Sequence, residues 1–219
     1  FEARYNHRAI TLLSDGSVLI AGGQSDSTTS LSSSYRYFPV SNELLEQWPL
    51  HMARTFHSLT GMDKGNNLAV AIGGKDATEV LKTVEVFSIE PQQPGCNDSG
   101  NTMTRPSATK GCWINLPAAS LAAGVWGHGG PAVNQNKEVV VVGGYTSLDT
   151  TGPSGDLWLL ESLTQPLRSV GQLSTPRGQS MVVSVNDGSD PSEGSGDFIL
   201  VAGGEVNQVG QQVVERLVR

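Results

Sequence analysis

The sequence predicts an all-β chain built from four copies of one strand-rich unit, and three observations carry that expectation. Four apolar runs each close on a Gly-Gly pair: VLIAGG at 18–23, LAVAIGG at 68–74, EVVVVGG at 138–144 and FILVAGG at 198–204. A polar lead segment with Arg or His stands upstream of each run, and a further strand-like stretch stands downstream. The composition agrees: 26 glycines in 219 residues, with only 16% charged residues, suit short strands joined by turns better than a helical bundle or a charged disordered tail.

The doublets begin at residues 22, 73, 143 and 203, so the copies are 51, 70 and 60 residues apart, a repeat of about 50 lengthened by insertions. Approximate copies span 1–50, 51–116, 117–173 and 174–219 of one region covering 1–219. Short apolar strands need neighbours on their edges and faces before they are stable, and radial packing of small sheets supplies both. Val, Leu, Ile and Phe fill the strands. The pairs Gly22-Gly23, Gly73-Gly74, Gly143-Gly144 and Gly203-Gly204 fall where a turn needs positive φ and where backbones approach closely. No phosphate-loop motif completes any of them, so the expected role is structural.

The lead segments come next. Arg4-Tyr5-Asn6-His7 precedes AITLL, Arg54-Thr55-Phe56-His57 precedes SLTGM, His128 precedes GGPAV, and Arg177-Gly178-Gln179 precedes SMVVSV. A recurring Arg or His here can satisfy buried backbone groups between sheets, where an unmade partner costs about 1–3 kcal/mol. Structural service is therefore expected of Arg4, His7, Arg54, His57, His128 and Arg177. Downstream, Tyr35-Arg36-Tyr37-Phe38, Val84-Glu85-Val86-Phe87, Asp156-Leu157-Trp158-Leu159 and the VVERLV stretch at 213–218 read as third or fourth strands. Trp48 and Trp113 follow the first two, where an indole packs between sheets and keeps one polar handle; the third copy has no such Trp.

On the four Gly-Gly strand ends, Arg-x-x-His in two copies, and Trp48 and Trp113, the chain resembles the kelch-repeat family over nearly its whole length. The resemblance implies a β-propeller of four-stranded antiparallel blades set radially around a channel, with variable loops as interaction surfaces. A closed propeller must join its first and last blades. Only Phe1 to Ala3 precede the first lead segment, and VVERLVR stops before a further Trp-bearing strand. The expectation is a fragment of a larger propeller or a propeller completed by another chain, with a compact four-bladed ring as the alternative. Phe1 in place of an initiator Met adds the expectation of a mature, processed or excised chain.

Charge narrows the partners. Fourteen Lys and Arg against 21 Asp and Glu leave a net charge of −7, which argues against a protein built to neutralise a phosphate backbone. No apolar stretch reaches the length of a membrane span. The leading reading is an interaction module whose loops meet a protein or a glycan, with Trp126 and Tyr145 as candidate recognition residues and core packing as their alternative role. A copper-radical oxidase or carbohydrate-processing enzyme is the second reading that the resemblance allows, and a structural assembly component is the third. The oxidase chemistry needs metal-ligating histidines, tyrosines and a tyrosine-linked cysteine, whereas His7, His51, His57, His128, Cys96 and Cys112 occupy repeat positions or insertions. Ser58 and Ser180 stand near lead segments, but a nucleophile needs a base and an orienting group converging in space. No catalytic residue, metal or cofactor is assigned.

The longest insertion, at 91–117, is punctuated by Pro and Gly and holds Cys96 and Cys112, 16 positions apart. A local disulfide, two ordinary cysteines and, least favoured, a metal site are the readings left open. Asn97-Asp98-Ser99 in the same insertion is an N-glycosylation acceptor pattern. Together these features favour an extracellular or secreted chain, with an intracellular one as the alternative. The oxygen-rich loops at 188–197 and 147–155 suit a recognition surface, and the first is also weighed as a calcium loop against a plain hairpin connection.

Overall fold

The computed structural model describes residues 2–61, 68–89, 110–133, 138–185 and 198–218. Four antiparallel sheets are arranged as a four-bladed β-propeller, with no helix among the described residues. Blade 1 holds β1 (Arg8–Thr11), β2 (Val18–Ala21), β3 (Ser34–Phe38) and β4 (Glu43–Glu46) in that order. Blade 2 repeats it with β5 (Ser58–Gly61), β6 (Leu68–Ile72), β7 (Val84–Ser88) and β8 (Cys112–Asn115). Blade 3 does so with β9 (Gly129–Val133), β10 (Val139–Tyr145), β11 (Pro153–Leu160) and β12 (Arg168–Gln172). Blade 4 begins with β13 (Met181–Val185) and β14 (Phe198–Ala202), passes through a small hairpin of β15 (Glu205–Val206) and β16 (Val209–Gly210), and returns as β17 (Val214–Val218) beside β14. The apolar runs that end in Gly-Gly are the second strands, β2, β6, β10 and β14. The first strands lie side by side, β1 next to β5, β5 next to β9 and β9 next to β13.

Packing follows the period of two along a strand, which sends alternate side chains to opposite faces. In β10, Val139 and Val141 join Val70, Ile72, Val84 and Val86 of blade 2, while Val140 and Val142 join Ile199 and Val201 of blade 4. A third cluster sets Leu19 and Ala21 of blade 1 against Leu59, Ala71 and Phe87 of blade 2. Each fully buried aliphatic side chain contributes about 1.5–3 kcal/mol, so the joints between blades are the core of the molecule.

The doublets form those joints. Their φ angles repeat at 62° and 95°, 59° and 96°, 61° and 105°, and 63° and 97°. The second glycine of three doublets donates its N–H across to the lead segment of the next blade: Gly23 to Arg54 C=O at 2.9 Å, Gly74 to Val125 C=O at 2.8 Å and Gly144 to Arg177 C=O at 2.9 Å. A Cβ on Gly22 or Gly73 would lie 2.5 Å from the carbonyl oxygen of Arg54 or Val125. Glycine is needed there for the left-handed backbone and for the close approach.

A second repeat is carried by backbone conformation alone. The third position of each lead segment has positive φ: Asn6 at 54°, Phe56 at 53°, Gly127 at 59° and Gln179 at 54°. Phe56 N–H donates to Asn6 C=O at 3.3 Å, Gly127 N–H to Phe56 C=O at 3.0 Å, and Gln179 N–H to Gly127 C=O at 2.6 Å. A left-handed conformation costs a non-glycine residue about 1–2 kcal/mol, and a hydrogen bond that runs from blade to blade offsets it here.

Candidate recognition face

Each lead segment bridges to the chain just beyond its own doublet: Tyr5 to Gln24, Thr55 to Lys75, Trp126 to Tyr145 and Gly178 to Glu205. The loops that leave the doublets therefore share one end of the propeller. Three of them are closed by an Asp-x-Thr turn. Asp26 Oδ1 accepts from Thr28 N–H at 2.8 Å, the Thr28 hydroxyl at 2.9 Å and Thr29 N–H at 2.8 Å. Asp76 Oδ1 does the same with Thr78 and Glu79 N–H, and Asp149 Oδ1 with Thr151 and the Ser147 hydroxyl. The Thr28 backbone and hydroxyl hold the Asp26 carboxyl down at about 2. The fourth loop is the β15–β16 hairpin, which turns through Asn207 at φ 48° and Gln208 at φ 65°.

An aromatic stack fills the middle of this face. Phe56 and Trp126 have ring centroids 5.2 Å apart, and Trp126 and Tyr145 4.9 Å. Lys75 Nζ caps the stack 3.5 Å from the Trp126 centroid and donates to Leu148 C=O at 2.6 Å. Burial lowers the Lys75 ammonium and Asp149 opposes the shift. Trp126 Nε1 donates to Ser147 C=O at 2.6 Å, and the Tyr145 hydroxyl to Glu205 Oε1 at 3.0 Å. Burial pushes the Tyr145 phenol up, and Glu205 adds to it. A cavity of about 180 Å³ opens between the first two loops, lined by Ser27, Thr28, Thr29, Ser30, Thr55, Lys75, Asp76 and Leu148 among others. Its hydroxyls and one ammonium group suit a small ligand group rich in oxygen.

Trp126 and Tyr145, the aromatic residues singled out from the sequence for recognition, are 4% and 0% exposed. In this structure they form the floor beneath Lys75 and the loops, so a partner would meet the polar loops before either ring. Of these loops sequence reasoning singled out only the third, at 147–155, and it missed the Asp-x-Thr turn that all three share. Their signal is present as Asp26-Ser27-Thr28, Asp76-Ala77-Thr78 and Asp149-Thr150-Thr151, each beginning within five residues of a doublet.

The lead-segment cations turn inward. Arg4 Nη1 donates to Gly22 C=O at 2.8 Å and Ser33 C=O at 2.9 Å, with its guanidinium 4.9 Å from the Tyr35 ring centroid. Arg54 donates to Gly73 C=O at 2.8 Å and pairs with Glu85, both side chains being fully buried. Arg177 donates to Thr175 C=O at 2.9 Å and pairs with Glu215. His7 is half-buried beside Gly23, and its imidazole is lowered by burial and then by Arg4 and Arg8. His57 and His128 are buried. Burial, reinforced by neighbouring cations, takes His57 well below 6.5 and His128 down to about 3.

His128 Nε2 lies 2.9 Å from Ser58 Oγ, the spacing of a base and a nucleophile. An imidazole held at about 3 is a weak base, Ser58 is 1% exposed, and among the described residues no carboxylate hydrogen-bonds to that ring. The pair instead ties blade 2 to blade 3. Ser180, in the place that His57 holds on blade 2, bonds weakly to Gly203 C=O at 3.4 Å.

Trp113 packs on Phe87 at 5.3 Å between centroids and donates its indole N–H to Ser34 Oγ of blade 1 at 3.0 Å. Trp48 is half-buried under Lys110, whose Nζ is 4.3 Å from the ring centroid. His51 Nε2 lies 3.0 Å from Trp113 C=O. Cys112 is buried on β8, whereas Cys96, Asn97 and the loop at 188–197 lie outside the described residues. Among the described residues no three His, Cys, Asp or Glu side chains gather as a metal ion would require, and no helix is long and apolar enough to cross a membrane. Compared with protein-family models the chain has no match, and no curated protein matches its sequence.

Proposed function

We propose that the chain is a kelch-type recognition module that binds a protein or glycan partner through its polar loop face. The observation that supports this reading is the grouping of three Asp-x-Thr loops around a hydroxyl-lined cavity of about 180 Å³, beside a lysine seated on an aromatic floor. The turns fix the loops before binding, which lowers the entropy lost on association. Hydroxyl, amide and ammonium groups then offer hydrogen bonds to sugar hydroxyls or to a peptide backbone. On the grounds of the sequence alone, the same reading includes an extracellular location, a Cys96–Cys112 bridge and a glycan on Asn97.

Ala77 lines the cavity and is exposed, so Ala77→Trp fills the space without entering the core. Native chain and variant are applied to a glycan array and to a displayed peptide library. The expected result is a set of bound glycans or peptides that the variant loses while its melting temperature stays unchanged. No binding by the native chain on either panel, or the same binding by both proteins, overturns the loop-face reading.

A further inference from the structure

Around the cavity between the first two loops, main-chain donors are spent and side chains are free. The N–H groups of Thr28, Thr29, Thr55, Lys75 and Asp76 are all bonded within the loops and lead segments. An extended peptide that docks through its main chain needs such groups open. Asp76 commits Oδ1 to its turn, and Oδ2 accepts no hydrogen bond among the described residues. Lys75 gives one of its three N–H groups to Leu148 C=O, and the other two find no oxygen acceptor among the described residues. The Gln24 carboxamide and the Ser30 hydroxyl, which also line the cavity, make no hydrogen bond there either. Thr55, 2% exposed, forms part of the wall, and its buried hydroxyl has no partner among the described residues.

Size, polarity and charge each narrow what such a cavity takes. Its volume of about 180 Å³ falls below the roughly 300–1,000 Å³ of sites for drug-sized ligands, which leaves room for a single small ring. An ammonium group only donates and a carboxylate only accepts, so the two side by side match neighbouring hydroxyls, each of which does both. Leu148, 42% exposed, and Ala77 add an apolar surface for the C–H face of a ring. The carboxylates of Asp26, Asp76 and Asp149 stand in the bounding loops against the one ammonium that lines the cavity, and the chain as a whole carries −7. That balance disfavours an anion. Lys75 inside the cavity disfavours a cation.

We propose that this cavity binds one neutral hexose ring of a glycan, with two adjacent ring hydroxyls shared between Asp76 and Lys75. The proposal rests on the loop-face reading and narrows its protein-or-glycan partner to an uncharged sugar. Asp76 accepts from one hydroxyl, Lys75 donates to its neighbour, and the hydroxyl and carboxamide side chains of the first loop meet the rest of the ring.

Amide NMR titration of the full chain with the methyl glycosides of glucose, mannose and galactose tests it, beside the corresponding uronic acids and amino sugars. At least one neutral glycoside is expected to shift the amides of Thr28, Thr55 and Ala77, and its uronic acid to bind at least tenfold more weakly. Asp76→Asn keeps an oxygen for the turn and turns the free acceptor into a donor, so it should weaken the neutral sugar at least tenfold, as should Lys75→Met. Thermal melts check that each variant is folded. The comparison of neutral with charged sugars uses the native chain alone, so it decides the matter even where a variant fails to fold. No shift with any neutral sugar, a uronic acid or amino sugar that binds as tightly as its neutral counterpart, or a folded variant with unchanged affinity overturns the proposal. Peptides bound at this face in place of sugars would overturn it and leave the loop-face reading standing, whereas no ligand of either kind overturns both.

Discussion

β6 and β14 hold the same place in their blades, LAVAI before one doublet and FILVA before the other, yet β6 is buried along nearly its whole length and β14 only at alternate positions. The sequences are equally apolar, and the doublets that follow have the same φ angles to within a few degrees. What differs is the neighbour. Blade 2 has blade 1 on one face and blade 3 on the other, whereas blade 4 has blade 3 on one face and exposed Val214 on the other. An apolar run with its doublet thus encodes half of a joint, and burial arrives only with the other half.

The largest effect is expected at the paired arginines. Arg54 and Glu85 are both fully buried, so Arg54→Met strands a carboxylate and should cost about 3–5 kcal/mol in urea unfolding. Glu215, the partner of Arg177, keeps 13% of its side chain exposed, and Arg177→Met should cost clearly less. Equal losses would break the contrast between the two blades. Alanine at the first doublet glycine sharpens it further. Gly73→Ala and Gly203→Ala share the strain of a positive φ, and only the former drives a Cβ into Val125, so Gly73→Ala should be the more destabilising by about 1–3 kcal/mol.

Truncation of the matched valines comes next. Val84→Ala should cost about 1.5–2.5 kcal/mol, and Val214→Ala less than about 0.5 kcal/mol, by thermal or denaturant unfolding of the monomer. The smallest effect per step is on pH dependence. His57 and His128 are held neutral in the fold, with His128 at about 3 against an ordinary 6.5. Unfolded imidazoles take up protons as pH drops below 6.5 while the folded ones do not, so stability is complete above that value and declines towards about 3. The decline is about 1.4 kcal/mol per pH unit for each histidine. His128→Asn should remove one proton's share of that slope, measured as unfolding free energy against pH.

Much of the fold was legible because its signals are local. The segments after the lead residues mark the first strand of every blade, the apolar runs with their doublets the second, and the stretches after the doublets a third or fourth, all from residue type alone. Other features needed coordinates. The left-handed third position is filled by Asn6, Phe56, Gly127 and Gln179, which share a backbone conformation and no side-chain chemistry, so no residue pattern reveals it. The β15–β16 hairpin turns on Asn207-Gln208, which lacks the glycine that usually marks such a turn. Of the candidate site, the loops at the doublets were visible as polar segments. The burial of Trp126 and Tyr145 was not, because an aromatic residue beside a turn reads the same whether Lys75 and a neighbouring loop cover it or leave it open. Ser58 lies next to His57 in sequence but bonds to His128 of the following blade, a contact between residues 70 positions apart.

Amide hydrogen exchange at four equivalent N–H groups, Gly23, Gly74, Gly144 and Gly204, tests the half-joint account most directly. In dilute, monomeric protein Gly23, Gly74 and Gly144 should exchange slowly, because each donates to the next blade at 2.8–2.9 Å, while Gly204 should exchange near the rate of an open chain. Protection of Gly204 equal to that of Gly74 in the monomer would contradict the account, since the fourth doublet would then have a neighbour within its own chain.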